Sequence, residues 1–320
     1  MSLSPGVHVW HRCHGCGAEP IRGARFDCLT CPAGPDNQLC ASCHASFMRG
    51  LVPHPPPDSL AALDRSGRVH TFGSVEGIAE DRLAPWSRVA DRRAAPPAVR
   101  DGSVVRPEFH TAAASFLGSY AFVVARDDAA PLAVTALHVM DELIKAEGID
   151  ASVTAARSPA EALPRVLRHV DLYDVYAPNW IRARVGSASP MLALPRARTG
   201  EEEPYCQSDV AAFVAGTHAG VSPMRLAPAG AEVGEPVWLA VNAGPRAPGR
   251  TLPAVVVERT PQSMVFRFSA GLEPPKYSSG APILDGGGDV VGINVGGGRF
   301  DGRRYGHAVH VDSIRAHLRA

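Results

Sequence analysis

Two groups of residues in this 320-residue chain have the types and order that chemistry requires. The first is three cysteine pairs, Cys13 and Cys16, Cys28 and Cys31, Cys40 and Cys43, followed by His54. A Cys-x-x-Cys pair can place both thiolates on one zinc ion at about 2.3 Å, and a structural zinc site closes with four ligands. The seven ligands here are one short of two zinc ions. The segment is too short and polar to fold on an apolar core, so metal would supply much of its folding free energy. The second group is a histidine, an aspartate and a serine in that order. "AVTALHVM" sets His138 at a strand end, "QSDVAAFVAG" sets Asp209 at the head of an apolar run, and "SSGAP" sets Ser279 in a tight turn before "ILD". Acyl transfer by serine needs a hydroxyl, a base, a carboxylate to hold the base, and donors for the developing oxyanion. Singly, such residues are commonplace as surface histidines, turn aspartates and Ser-Gly turns. Their joint occurrence in one order within a β-rich segment points to a nucleophilic serine.

The elements that must position these residues fall into three zones. Residues 1–60 are rich in cysteine and histidine and end at "PHPPP", which cannot continue a helix or a central strand. Residues 61–105 are polar and charged, with "DRRAAPPAVRDG" reading as an extended linker; only "VHTFGSVEGIAEDRL" within them suggests order. Residues 106–320 carry recurrent short apolar runs bounded by turn signals. These are Ser119 to Ala125, Leu132 to Leu137, Pro236 to Val241, Ala254 to Glu258, Met264 to Phe268, Asp289 to Val295 and His307 to Val311. Helical signals are few: a segment after His138, one capped by Ser158 with Pro159 at its first position, and the C-terminal "VDSIRAHLRA". Many short strands over about 210 residues predict a mainly β barrel or sandwich.

Composition bounds the partners. Lysine plus arginine and aspartate plus glutamate both total 32, so no bulk field attracts nucleic acid or an anionic membrane. The first ten residues lack a signal-peptide pattern, and no apolar run approaches the roughly 20 residues of a membrane span. Six of the seven cysteines cluster before residue 44 and Cys206 stands alone, which fits metal in a reducing compartment better than disulfides. The expectation is a cytoplasmic protein.

The N-terminal motifs "CHGC", "PIRGARFDCLTC" and "QLCASC", with His54, resemble a ZZ-type zinc finger over about 50 residues. The resemblance implies a cross-brace, with Cys13, Cys16, Cys40 and Cys43 on one structural zinc and Cys28, Cys31 and His54 on a second. The second histidine of that family is not found shortly after His54, where Pro-Pro-Pro-Asp58 follows. Asp58 is the candidate eighth ligand, with His44 or a water as alternatives. ZZ domains often bind protein N-termini through acidic residues; Asp27 and Asp36 are the candidates here.

The later motifs "VTALHV", "SDVAAF" and "SGAPILDGGGDVVGINVGG" resemble trypsin-like serine peptidases of the glutamyl-endopeptidase and HtrA-like branches over residues 109–320. This implies a chymotrypsin-like double β-barrel with a C-terminal helix. It also implies His138 as general base and acid, Asp209 as its orienting carboxylate and Ser279 as nucleophile. Asp171 and Asp174 are rivals to Asp209, and Ser278 to Ser279. The oxyanion hole would use the amides of Tyr277 and Ser279, but Tyr277 stands where the family usually has glycine. A bulky residue at a positive φ costs free energy. Asn294 and His307, with His310 nearby, are candidate substrate-pocket residues. The expected function is an intracellular serine endopeptidase acting on protein or peptide substrates. The alternative is a silent or partner-activated scaffold on the same fold.

Overall fold

A computed structural model of the chain describes residues 6–31, 37–54, 70–91, 94–127, 129–149, 158–178, 183–198, 208–216, 220–242 and 249–319. Asp36, Asp58 and Cys206 lie outside the described residues. The chain divides into two compact units. One comprises Met1–Arg88 with Gly297–Tyr305, the other Val89–Gly296 with Gly306–Ala320.

In the first unit, the strand Gly6–His8 lies between Ile21–Arg22 and Ile78–Ala79. The strand Arg25–Cys28 lies between Gln38–Cys40 and Phe72–Val75. Helices Ala41–Met48 and Glu80–Arg88 complete it. Residues 72–88, part of the span read as linker, thus supply two strands and a helix. Strands of two to four residues leave little periodic trace in sequence, since their partners supply the hydrogen bonds. The apolar interior is small, with Val7, Ile21, Leu39, Leu83 and Trp86 buried.

The strands from Val104 onward form two antiparallel β-barrels, a chymotrypsin-like double barrel with a C-terminal helix. The first runs His169–Asp174, Arg184–Met191, Ala211–Ala215, Ala129–Thr135, Ala121–Arg126, Val104–His110, and closes where Val104–His110 pairs with His169–Asp174. Ser115–Leu117 is added along the outside of Val104–His110. The second barrel is closed by Pro236–Ala240, Thr251–Arg259, Ser263–Phe268, Arg303–His310, Val290–Phe300 and Pro282–Leu284, and the helix Val311–Arg319 follows. Closure leaves few unpaired edges, and inward residues such as Phe109, Phe122 and Phe213, or Phe266 and Ile283, fill the interiors.

The recurrent apolar runs all lie on barrel strands, with ends displaced by a few residues. The helix at Ser158 begins as its cap implies: the Ser158 side chain accepts the N–H of Ala160, and the helix spans Pro159–Val166. It ends at Val166, and His169 opens the strand that closes the first barrel. Among the described residues no helix is long and apolar enough to cross a membrane.

Candidate active site and metal clusters

Strand register brings His138 and Asp209 together. Thr135 pairs with Ala211 at the end of the antiparallel ladder, so the next residues of one strand meet the preceding residues of the other. His138 sits in the short 3-10 turn Leu137–Met140 that follows the ladder. Its Nδ1–H donates to Asp209 Oδ2 at 2.5 Å, and its backbone N–H donates to Asp209 Oδ1 at 2.9 Å. Asp209 is 1% exposed, so this pair of hydrogen bonds is what makes its burial tolerable. Burial works to lower the His138 pKa; the charge and hydrogen bond of Asp209, with Asp141 adding, outweigh it and raise the value above the ordinary histidine range.

Ser279 lies before the strand Pro282–Leu284 of the second barrel, in a turn held from several sides. The N–H of Tyr120 donates to the Ser279 carbonyl at 3.1 Å, and the N–H of Gly280 donates to Asn294 O at 2.8 Å. Gly280 has φ +82°, and a Cβ there would sit 2.0 Å from Tyr120 O, so only glycine permits this approach. The Ser279 hydroxyl donates to Val295 O at 3.4 Å, a long bond, and among the described residues it makes no hydrogen bond to His138. Tyr277 adopts φ +63° and is 79% exposed. Among the described residues no hydrogen bond engages the N–H of Tyr277 or of Ser279.

The rival residues are occupied elsewhere. Ser278 Oγ accepts from Asn294 Nδ2 at 3.2 Å. Asp174 accepts the N–H of Tyr176, and Asp171 lies on the outer face of the first barrel. Asn294 is 2% exposed, and its amide also donates to Ser278 O at 2.9 Å, so it buttresses the serine turn. His307 and His310 are buried; His307 packs under Gly296, where a Cβ would come within 2.5 Å of its Nε2. The cavity that does open beside Tyr277, of about 220 Å³, is lined by Tyr277, Lys276, Tyr120, Arg106, Val175 and Asn242 among others. Arg106 lies on the strand Val104–His110 far from the serine in sequence, and no local motif marks it as a cavity residue.

The cysteine pairs assemble two clusters able to hold a metal. Cys13, Cys16, Cys40 and Cys43 form one; Cys28, Cys31, His54 and His70 form the other. His70 was missed because it lies 16 positions after His54 and no spacing rule joins them. The fit to a four-coordinate ion is close. Tetrahedral bonds of about 2.3 Å to sulfur and 2.0–2.1 Å to nitrogen place two sulfurs about 3.8 Å apart and a sulfur and a nitrogen about 3.5 Å apart. Cys16 Sγ and Cys40 Sγ are separated by 3.9 Å, Cys31 Sγ and His70 Nδ1 by 3.4 Å, and Cys31 Sγ and His54 Nε2 by 3.7 Å. Burial, with the His70 and His14 charges adding, pushes the His54 pKa down to about 4 and keeps the imidazole neutral for ligation. His44 joins neither cluster; it stacks on Phe26 with ring centroids 4.0 Å apart. Both oxygens of Asp27 are engaged by Arg25 at 2.8 Å.

No known protein family and no curated protein matches the chain in sequence. Among solved structures, it is similar to the active form of the Rv3671c protease from M. tuberculosis, with 16% identity, 72% of this chain and 93% of that chain covered, and a TM-score of 0.41. A thermostable serine protease, AL20, from an extremophilic microorganism shows 14% identity over 68% of this chain and 98% of that chain, with a TM-score of 0.44. A serine endoprotease from Yersinia pestis shows 13% identity over 74% and 65%, with a TM-score of 0.40.

Proposed function

We propose that the chain is a serine endopeptidase that hydrolyses peptide bonds through an acyl-enzyme. The observation that carries this reading is the buried Asp209 carboxylate gripping both Nδ1 and the backbone N–H of His138. A carboxylate so held fixes the tautomer, with Nδ1 protonated and Nε2 free to act as base. Ser279 Oγ attacks the substrate carbonyl as His138 Nε2 takes its proton. The N–H groups of Ser279 and Tyr277 receive the oxyanion, consistent with their unengaged state among the described residues. His138 then protonates the leaving amine, and water attacks the acyl-enzyme with His138 again as base. Zinc at the two clusters is structural, since four protein ligands leave no open position. The zinc-bearing unit recruits a substrate or partner; recognition of a protein N-terminus is one form of this.

A partner-activated enzyme is the second reading, favoured by the Ser279 hydroxyl resting against Val295 O. In that case substrate or a partner must turn the hydroxyl to His138. The test is labelling with a serine-directed phosphonate. Wild-type and Ser278→Ala chains are expected to label; Ser279→Ala and His138→Ala are not. Labelling of Ser279→Ala at the wild-type rate would overturn the assignment. Labelling of wild-type only after addition of protein substrate selects the second reading.

A further inference from the structure

A third cluster of ligating side chains lies on the first barrel, remote in sequence from the cysteine pairs. Where Val104–His110 pairs with His169–Asp174, His110 stands directly opposite His169 and Glu108 opposite Asp171. Alternation along both strands turns Val170 and Leu172 into the core, leaving His110, Glu108, His169 and Asp171 on the outer face. The two imidazoles stack with centroids 4.3 Å apart and planes within 8°. His110 Nε2 lies 3.5 Å from Asp171 Oδ2 and 3.8 Å from Glu108 Oε2, and His169 Nε2 lies 3.9 Å from Asp171 Oδ1.

These distances exceed those of hydrogen bonds. They come near the edges of about 3.3 Å of a tetrahedral site with bonds of about 2.0–2.1 Å, and the stacked rings must tilt apart on binding, because each nitrogen lone pair lies in its ring plane. His110 Nε2 is shielded from solvent and has no hydrogen-bond partner, which is costly for a ring nitrogen unless something else occupies the space it faces. Asp171 also pairs with Arg184 at 2.7 Å through Oδ1, which leaves Oδ2, the oxygen nearest His110, available. Glu108 Oε2 accepts the Tyr173 hydroxyl at 3.0 Å and keeps a lone pair. We propose that His110, His169 and Asp171 bind a divalent transition-metal ion, with Glu108 beside His110 adding negative charge at its edge. Two imidazoles select zinc, nickel or copper over calcium or magnesium, and the two carboxylates neutralise the charge. The ion staples the strand pair at which the first barrel closes.

The test is zinc content of the full-length chain after equilibrium dialysis against micromolar zinc, compared between wild-type and variants so that occupancy of the cysteine clusters cancels. The expected result is one equivalent fewer in His110→Ala and His169→Gln, at least a tenfold weaker third site in Asp171→Asn, and a smaller loss in Glu108→Gln. Added zinc should also raise the Tm of the wild-type chain above that of His169→Gln. If a variant fails to fold by circular dichroism, Asp171→Asn and Glu108→Gln, which keep shape and volume, decide. Cobalt substituted at the third site of the zinc-loaded wild-type chain should show d–d bands without thiolate charge transfer. Equal zinc content in the wild-type and folded variant chains overturns the proposal.

Discussion

Replacing Asp209 with asparagine keeps the volume of the side chain and removes its charge. The carboxylate accepts two N–H groups, at 2.5 Å and 2.9 Å, from a site 1% exposed. An asparagine has one acceptor oxygen and one NH2 group. If the oxygen stays on the His138 backbone N–H, the NH2 faces Nδ1 and the imidazole must turn to the other tautomer, with Nε2 protonated. The nitrogen required as base then carries a proton. Loss of the base tautomer is worth about 10⁴ in kcat for a site of this type, or about 5.5 kcal/mol at 1.4 kcal/mol per decade. The pH dependence gives an independent reading. Asp209 raises the His138 pKa against the opposing effect of burial, so its removal should move the acid limb of kcat/KM to lower pH. Stability follows the same linkage. Because the folded-state pKa of His138 is raised, protonation stabilises the wild-type fold fully below the unfolded value of about 6.5, and this contribution is lost as pH rises through the folded value. The wild-type advantage over Asp209→Asn in urea midpoint should therefore shrink as the pH rises. The assay is a pH series of peptide hydrolysis, with histidine ring NMR reporting the tautomer. A kcat within tenfold of wild-type, or an acid limb displaced upward, would refute the reasoning.

Gly280→Ala should destabilise by more than about 3 kcal/mol in urea unfolding, because its Cβ would meet Tyr120 O at 2.0 Å and Thr135 Oγ1 at 2.4 Å with φ at +82°. Tyr277→Gly should change stability by under about 1 kcal/mol, since relief of about 1–2 kcal/mol of left-handed strain is offset by the extra freedom of glycine in the unfolded chain; hydrolysis should persist, because the N–H remains. Asn294→Ala leaves the Ser278 carbonyl without its side-chain donor and should cost about 1–3 kcal/mol, measured by thermal unfolding. His70→Ala should cost metal content in the dialysed chain while Asp58→Ala does not, read by elemental analysis.

Much of the candidate site was legible because its chemistry is carried by residue type and local spacing. Cys-x-x-Cys pairs need only a turn to converge on one ion, and the strand ends bearing His138 and Asp209 announce themselves by apolar runs. The barrel strands Thr251–Arg259 and Ser263–Phe268 were readable for the same reason. By contrast, Phe72–Val75 and Ile78–Ala79 become strands only through their neighbours Arg25–Cys28 and Gly6–His8.

By itself, the sequence determined the order His138, Asp209, Ser279, the three cysteine pairs and the placement of glycine at 280. The resemblance to trypsin-like peptidases also marked Tyr277 as standing where glycine is usual, and its φ is +63°. Only the tertiary structure decided that His70 completes the second cysteine cluster, that Asn294 holds the serine turn, and that His110 faces His169 across a barrel seam. Each of those depends on residues 16 to 59 positions apart being brought together. Strand register and barrel closure set such contacts, and neither has a local signature in the chain.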